Sequence, residues 1–248
     1  MNPDSKSSIK RRIIPAMKSY ALEGPKSRLH ELKFAIDIFF QFIKGFRALH
    51  FIGPSITVFG SARFKEDHPF YALAREMGKK IAEAGFATIT GGGPGIMEAA
   101  NRGAYENGGK SIGCNIKLPY EQQPNPFVHK SITIDFFFVR KVLLVKYSYA
   151  FVIMPGGFGT QDEFFETLTL IQTKVIKDFP IVVMGKEFYE PFQHWMEHMT
   201  EGGTISPEDK NFILFTDDAE EAISHIKKYM GINYKAKKHT RLWWLFEK

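Results

Sequence analysis

The stretch Phe86-Ala87-Thr88-Ile89-Thr90-Gly91-Gly92-Gly93-Pro94-Gly95-Ile96-Met97 runs from an apolar, β-branched segment straight into glycine and then into a helix start. A strand that ends on small residues and feeds a helix is the local unit of a parallel sheet. In such sheets ligands bind outside the carboxyl ends of the strands. The same rhythm recurs on both sides of this stretch, with no repeat of fixed period. Strands are expected at Ser55–Gly60, Phe86–Thr90, Ser111–Ile116, Ala150–Met154, Pro180–Met184 and Asn211–Phe215. Helices are expected at His68–Ala84, Gly95–Asn107, Phe136–Tyr147, Thr160–Ile176, Phe188–Met199 and Asp217–Met230. The alternation predicts an α/β fold, one parallel sheet with helices on both faces.

Three of these strand ends run into glycine. The first, Val58-Phe59-Gly60-Ser61-Ala62, has small residues that permit close approach and a Ser61 hydroxyl able to donate to an anion. In the second, Gly91, Gly92, Gly93 and Gly95 precede Ile96 and Met97, so bare N–H groups at a helix start offer an anion site whose natural guest is a phosphate. It is neither a Gly-x-Gly-x-x-Gly fingerprint nor a Walker loop, so ATP hydrolysis through that motif has no support. The third, Met154-Pro155-Gly156-Gly157-Phe158-Gly159-Thr160-Gln161-Asp162-Glu163, offers Gly156, Gly157, Gly159 and the Thr160 hydroxyl at a helix start, with Glu163 one turn in. Thr160 and Glu163 also fit a capping box with a purely structural purpose.

The chain has 248 residues, enough for one compact domain with extensions, and 44% hydrophobic with 24% charged residues excludes a largely disordered chain. Its net charge of +6 is uneven: residues 1–50 hold 10 basic and 4 acidic groups, residues 227–248 hold 7 and 1, and the middle is left acidic. The surplus is terminal and therefore poor support for a nucleic-acid enzyme. The single cysteine, Cys114, excludes an intrachain disulfide. Met1–Arg12 has no apolar core of a secretory signal, and no apolar run is long enough to span a bilayer, so a soluble cytoplasmic protein is expected.

Four segments are expected: a basic arm at 1–25, an amphipathic helix at 26–50, the α/β domain at 51–230 and a basic aromatic tail at 231–248. In the helix, Leu29, Leu32, Ile36, Phe39, Ile43 and Phe46 form a stripe that needs a hydrophobic partner, most simply its own domain, otherwise another subunit or a membrane surface. The tail's Trp243, Trp244 and Phe246, among Lys235, Lys237, Lys238 and Arg241, fit a subunit contact better than lipid or nucleic acid.

Taken together, Gly91-Gly92-Gly93-Pro94-Gly95-Ile96-Met97 and Pro155-Gly156-Gly157-Phe158-Gly159-Thr160-x-x-Glu163, with Arg140-Lys141 between them, resemble the LOG (Lonely Guy) family over about residues 55–230. The resemblance implies a Rossmann-like domain that cleaves the N-glycosidic bond of cytokinin riboside 5′-monophosphates and often of AMP, releasing base and ribose 5-phosphate. It implies Arg140 and Glu163 as catalytic residues and the glycine turns with Thr160 as the phosphate site. It further implies a homodimer or higher homo-oligomer with the active site near the interface, a nucleoside monophosphate as the small-molecule partner, and no cofactor or metal. Glu98 after Met97, and Phe136-Phe137-Phe138-Val139 before Arg140, depart from the plant-like pattern at positions near the base. Reaction type is therefore better specified than base identity.

The residues suit that chemistry. N-glycoside hydrolysis passes through an oxocarbenium-like state, which a carboxylate near C1′ stabilises. Glu163 can hold the ribose hydroxyls or deprotonate the attacking water, while Arg140, always charged, can orient Glu163 or stabilise developing charge but cannot donate a proton. The bland alternative is a surface Arg140–Glu163 salt bridge worth no more than ~1 kcal/mol. Asp162 and Glu166 read as helix-surface carboxylates, with a ribose contact open to either.

The older lysine decarboxylase label for the family would need a pyridoxal-phosphate Schiff-base lysine. Lys141 and Lys146 read instead as solvent or interface contacts. His194-Trp195-Met196-Glu197-His198 matches a zinc pattern without a third ligand and far from the glycine turns, and reads as a solvated or packed helix face. Two readings from other classes stay open: a nucleotide or molybdenum-cofactor carrier that binds without hydrolysis, and an interaction protein in which the terminal segments matter most.

Overall fold

The computed structural model describes residues 24–118, 123–177 and 179–233. The basic arm and the aromatic tail fall almost wholly outside these residues. A helix α1 (Arg28–Leu49) precedes an alternating series: β1 (Ser55–Phe59), α2 (Pro69–Glu83), β2 (Ala87–Thr90), α3 (Ile96–Glu106), β3 (Ser111–Ile116), β4 (Lys130–Ile134), α4 (Phe137–Tyr147), β5 (Ala150–Ile153), α5 (Phe158–Gln172), β6 (Ile181–Val183), α6 (Lys186–Glu201), β7 (Ile213–Phe215) and α7 (Ala219–Asn233). All seven strands pair in parallel in the order β4-β3-β2-β1-β5-β6-β7. The chain winds outward from β1 to one edge, then returns to the other side of β1 as β5. A crevice opens where the direction of winding reverses, and here the carboxyl ends of β1 and β5 border it.

Side chains alternate across the sheet, so each strand feeds two cores. Phe59, Ile89, Cys114, Phe151 and Val183 pack on one face with residues of α1, α4, α5 and α6. Ile56, Val58, Val152, Val182 and Met184 pack on the other with α2, α3 and α7. α2 begins where His68 accepts a hydrogen bond from the Phe70 N–H and Pro69 occupies the first turn. No helix among the described residues is long and apolar enough to cross a membrane.

Two expectations change. The sheet has a seventh strand, β4, that the apolar pattern does not flag: Lys130-Ser131-Ile132-Thr133-Ile134 is an edge strand with only Ile132 and Ile134 buried. Helix α1 does fold onto its own domain, but through another face. Phe34, Ile38, Phe42, Phe46 and the buried Leu49 pack on the core, whereas Leu29, Leu32, Ile36, Phe39 and Ile43 are exposed. The helix is apolar around most of its circumference, so a row at three- and four-residue spacing exists on both sides. Gly45 lies against the Leu143 side chain of α4, which lets the inner row approach closely.

Candidate functional site

Ser61, just past β1, joins all three glycine turns. Its N–H donates to the Pro155 carbonyl in the third turn, and its carbonyl accepts from the Ile96 N–H at the head of α3. That approach explains Gly95, where φ is +71° and an added Cβ would lie 2.5 Å from the Ser61 carbonyl oxygen. The Ser61 hydroxyl accepts from the Arg63 N–H at 3.1 Å, leaving its own hydrogen available to a ligand. The third turn is fixed from below: Tyr189 Oη donates to the Met154 carbonyl at 3.0 Å, and Gln161 Nε2 donates to Tyr189 Oη at 3.1 Å.

Around these turns lies a cleft of about 990 Å³. Of the residues expected at the site, Gly60, Ser61, Gly91, Met97, Arg140, Gly156, Gly157, Gly159, Thr160 and Glu163 all line it. Gly92, Gly93 and Gly95 do not; they lie buried behind its wall. There the Asn125 N–H donates to the Gly92 carbonyl at 2.9 Å and Asn125 Nδ2 to the Gly93 carbonyl at 3.1 Å. Asn125 Nδ2 also donates to Asn101 Oδ1, which accepts from the Thr90 hydroxyl, which in turn accepts from the Gly92 N–H. The second turn is thus held by a buried amide network and reaches the cleft through Gly91 and Met97. Asn101 and Asn125 carry no sequence signal, because polar residues in a helix and a loop read as solvated.

The α5 helix starts earlier than its pattern suggests. Gly157 is its N-cap residue and makes no side-chain cap, so Thr160 sits inside the first turn and the capping-box reading of Thr160 and Glu163 falls away. Both side chains are buried in the cleft wall, Glu163 being 5% exposed. A surface salt bridge is therefore excluded for it. Burial pushes the Glu163 carboxyl up to about 7, with the Arg140 charge opposing the rise and Glu166 adding to it. Arg140, on α4, donates through Nε to the Cys114 carbonyl at 2.9 Å. Its guanidinium passes so close to Gly91 that a Cβ there would lie 2.7 Å from a terminal nitrogen.

Lys141 is tied to its own chain, whereas Lys146 is exposed, as its sequence reading expects. Lys141 Nζ bridges Asp162 at 3.3 Å and Glu166 at 3.1 Å on α5, and Lys146 lies over the Phe46 ring of α1. Asp162 lines the cleft. Phe137, one of the positions the sequence reading puts near the base, also lines it, as do Arg63, Phe158 and Phe188; these last three carry no sequence signal, because a charged loop and scattered phenylalanines are ordinary surface and core features. His194 and Glu197 border a separate shallow hollow on α6, and the described residues hold no His/Cys/Asp/Glu group suited to a metal ion.

A family described as possible lysine decarboxylase matches residues 97–226. The chain is 29% identical over 178 residues to the cytokinin riboside 5′-monophosphate phosphoribohydrolase of Rhodococcoides fascians, covering 70% of this chain and 89% of that protein. It is 30% identical over 156 residues to the protein of the same name from Mycobacterium tuberculosis, covering 61% and 82%. Against the pyrimidine/purine nucleotide 5′-monophosphate nucleosidase of Escherichia coli it is 25% identical over 218 residues, covering 82% of this chain and 47% of that one. Among solved structures, the molybdenum cofactor binding protein of Rippkaea orientalis superposes with a TM-score of 0.54 at 23% identity, covering 72% of this chain and 98% of that one. The Moco carrier protein of Chlamydomonas reinhardtii gives 0.54 at 24%, covering 73% and 99%. At that identity these two structures speak for the fold alone. With its glycine turns, Arg140 and Glu163 on one cleft at the β1/β5 reversal, and with these relatives, the chain belongs to the LOG family, the group also described as possible lysine decarboxylases.

Proposed function

We propose that this protein hydrolyses the N-glycosidic bond of a nucleoside 5′-monophosphate, AMP or a cytokinin riboside monophosphate, to free base and ribose 5-phosphate. The observation that carries this reading is Glu163: a buried carboxyl poised near neutrality on the same cleft as a helix N-terminus rich in free N–H groups and a fixed guanidinium. The α5 start binds the phosphate, and that remote binding positions C1′ against Glu163. Ionised Glu163 accepts a proton from water as its oxygen bonds to C1′. The C1′–N bond breaks with its electron pair passing to the base, which takes a proton from solvent water as it leaves, and Glu163 returns the proton of the attacking water to solvent, so that one water is consumed and no net proton. Arg140 holds its place through Cys114 and stabilises charge in the transition state, since it cannot give up a proton.

A pyridoxal phosphate does not fit this cleft: among the described residues no lysine lines it, and Lys141, beside Arg140 on α4, is held by two carboxylates with its pKa raised. A homodimer or higher homo-oligomer belongs to the same proposal. It is supported by the exposed Leu29, Ile36 and Phe39 of α1 and Phe137, Phe138 and Val142 of α4. The deciding experiment incubates the purified protein with AMP, isopentenyladenosine monophosphate and other nucleoside monophosphates, with chromatography for free base. Release of base from at least one is expected, and a folded protein that releases none from any of them refutes the reading.

A further inference from the structure

We propose that Arg63 is the phosphate clamp of this cleft, a residue that selects nucleoside monophosphates over nucleosides; this rests on the hydrolytic reading above. Arg63 lines the cleft beside Gly60, Ser61 and the α5 start. Its backbone is fixed on both sides: its N–H donates to the Ser61 hydroxyl, and the next residue, Phe64, packs against His68 at 4.2 Å and Phe70 at 5.4 Å between ring centroids. The guanidinium, by contrast, has no hydrogen-bond or ion-pair partner among the described residues. Three other arginines of the domain are occupied. Arg75 binds Glu106, Arg102 binds both Glu66 and Glu106, and Arg140 binds the Cys114 carbonyl. Glu66, only three residues beyond Arg63, is thereby engaged elsewhere, at 2.9 Å from Arg102.

An exposed guanidinium without a partner among the described residues, on a preorganised backbone at the rim of a cleft that a helix start also lines, suits a dianionic ligand with several acceptor oxygens. Arginine offers a planar fork that can take two phosphate oxygens at once, and the α5 N–H groups and Ser61 hydroxyl can take others. The cleft then has divided labour: Arg140 and Glu163 act on the glycosidic bond, and Arg63 on the phosphate. A nucleoside lacking the phosphate gains nothing from Arg63.

The test uses the full chain carrying Glu163→Gln, so that bound nucleotide is not consumed, with and without Arg63→Ala or Arg63→Lys. Calorimetry measures binding of AMP, adenosine and inorganic phosphate. Arg63→Ala is expected to weaken AMP and phosphate roughly tenfold to hundredfold while leaving adenosine unchanged, and Arg63→Lys to retain part of the affinity. AMP affinity within about twofold of the parent, an equal loss for adenosine, or a parent chain that binds neither AMP nor phosphate would each overturn the assignment. If the wild-type protein hydrolyses no nucleotide but Arg63→Ala still weakens AMP selectively, the clamp stands and the hydrolytic reading fails.

Discussion

Glu163 carries an acid inside a wall of the cleft where charge is costly. Its pKa, raised to about 7, makes the carboxylate available to accept a proton only as pH climbs through neutrality. The rate under limiting substrate should therefore rise about tenfold per unit below pH 7 and level off above it; a profile flat from pH 5 to 8 would remove Glu163 as the base. Glu163→Gln and Arg140→Ala should each remove most turnover while leaving circular dichroism unchanged, and unimpaired turnover in either would refute that residue's role. The same shift has a consequence for stability. The native state holds the Glu163 proton more tightly than the unfolded chain, so this group favours folding at low pH and destabilises it progressively between about pH 4.5 and above 7. Glu163→Gln, which keeps the shape and removes the charge, should stabilise the protein at pH 8 by about 1–3 kcal/mol, with the gain disappearing near pH 4. Denaturant titrations at the two pH values check both the size and the sign.

Among the elements, the strand ends matter more than the helices, because three turns converge on Ser61 and only then form a cleft. The amide network behind the second turn should be essential to that convergence. Asn101 is wholly buried on α3 and touches Thr90, Ser111 and Asn125. Asn101→Leu leaves the Thr90, Ser111 and Asn125 groups short of partners, and a loss of roughly 1–3 kcal/mol in urea unfolding is expected. Because Gly92 and Gly93 hang on Asn125, Gly91 should also shift under Arg140, lowering kcat in the folded fraction; unchanged stability would disprove the network's role. This arrangement shows why the sequence was readable where it was. Apolar strand, glycine and helix follow in series at Thr90 and Met154, so those turns could be found by inspection. Gly92, Gly93 and Gly95 read from the sequence as phosphate-site residues, whereas the structure packs them against Asn125 and Ser61, out of the cleft lining. Partners more than 30 residues apart in the chain leave no local pattern. β4 was missed for a related reason: an edge strand that is mostly exposed lacks the apolar run that marks a central one.

On the scale of the whole molecule, the sheet's reversal beside β1 explains where the cleft is, while α1 covers the core beside α4 and β4 without lining the cleft. Its inner row seals the core over α4, so deleting residues 1–50 would strip Phe34, Ile38, Phe42 and Phe46 from the interior and confound any binding assay with unfolding. Its outer row can be changed without that cost. Ile36 and Phe39 are 45% and 58% exposed, and Ile36→Glu with Phe39→Glu puts two charges on the proposed subunit contact while leaving the inner row intact. Light scattering should show the parent as an assembly and the double variant at lower mass, with an unchanged far-ultraviolet spectrum; a variant that keeps the parent's mass takes α1 out of the contact. Salt separates the two surfaces that could hold copies together. The terminal segments are strongly basic and the middle of the chain is acidic, so an assembly made by the ends would weaken at about 1 M salt, where screening shortens the reach of charge to about 3 Å. Apolar contact through α1 is not weakened by that screening. The assembly is therefore expected to survive high salt and to fail in the double variant, and the reverse pair of results would move the contact from the helix to the charged ends.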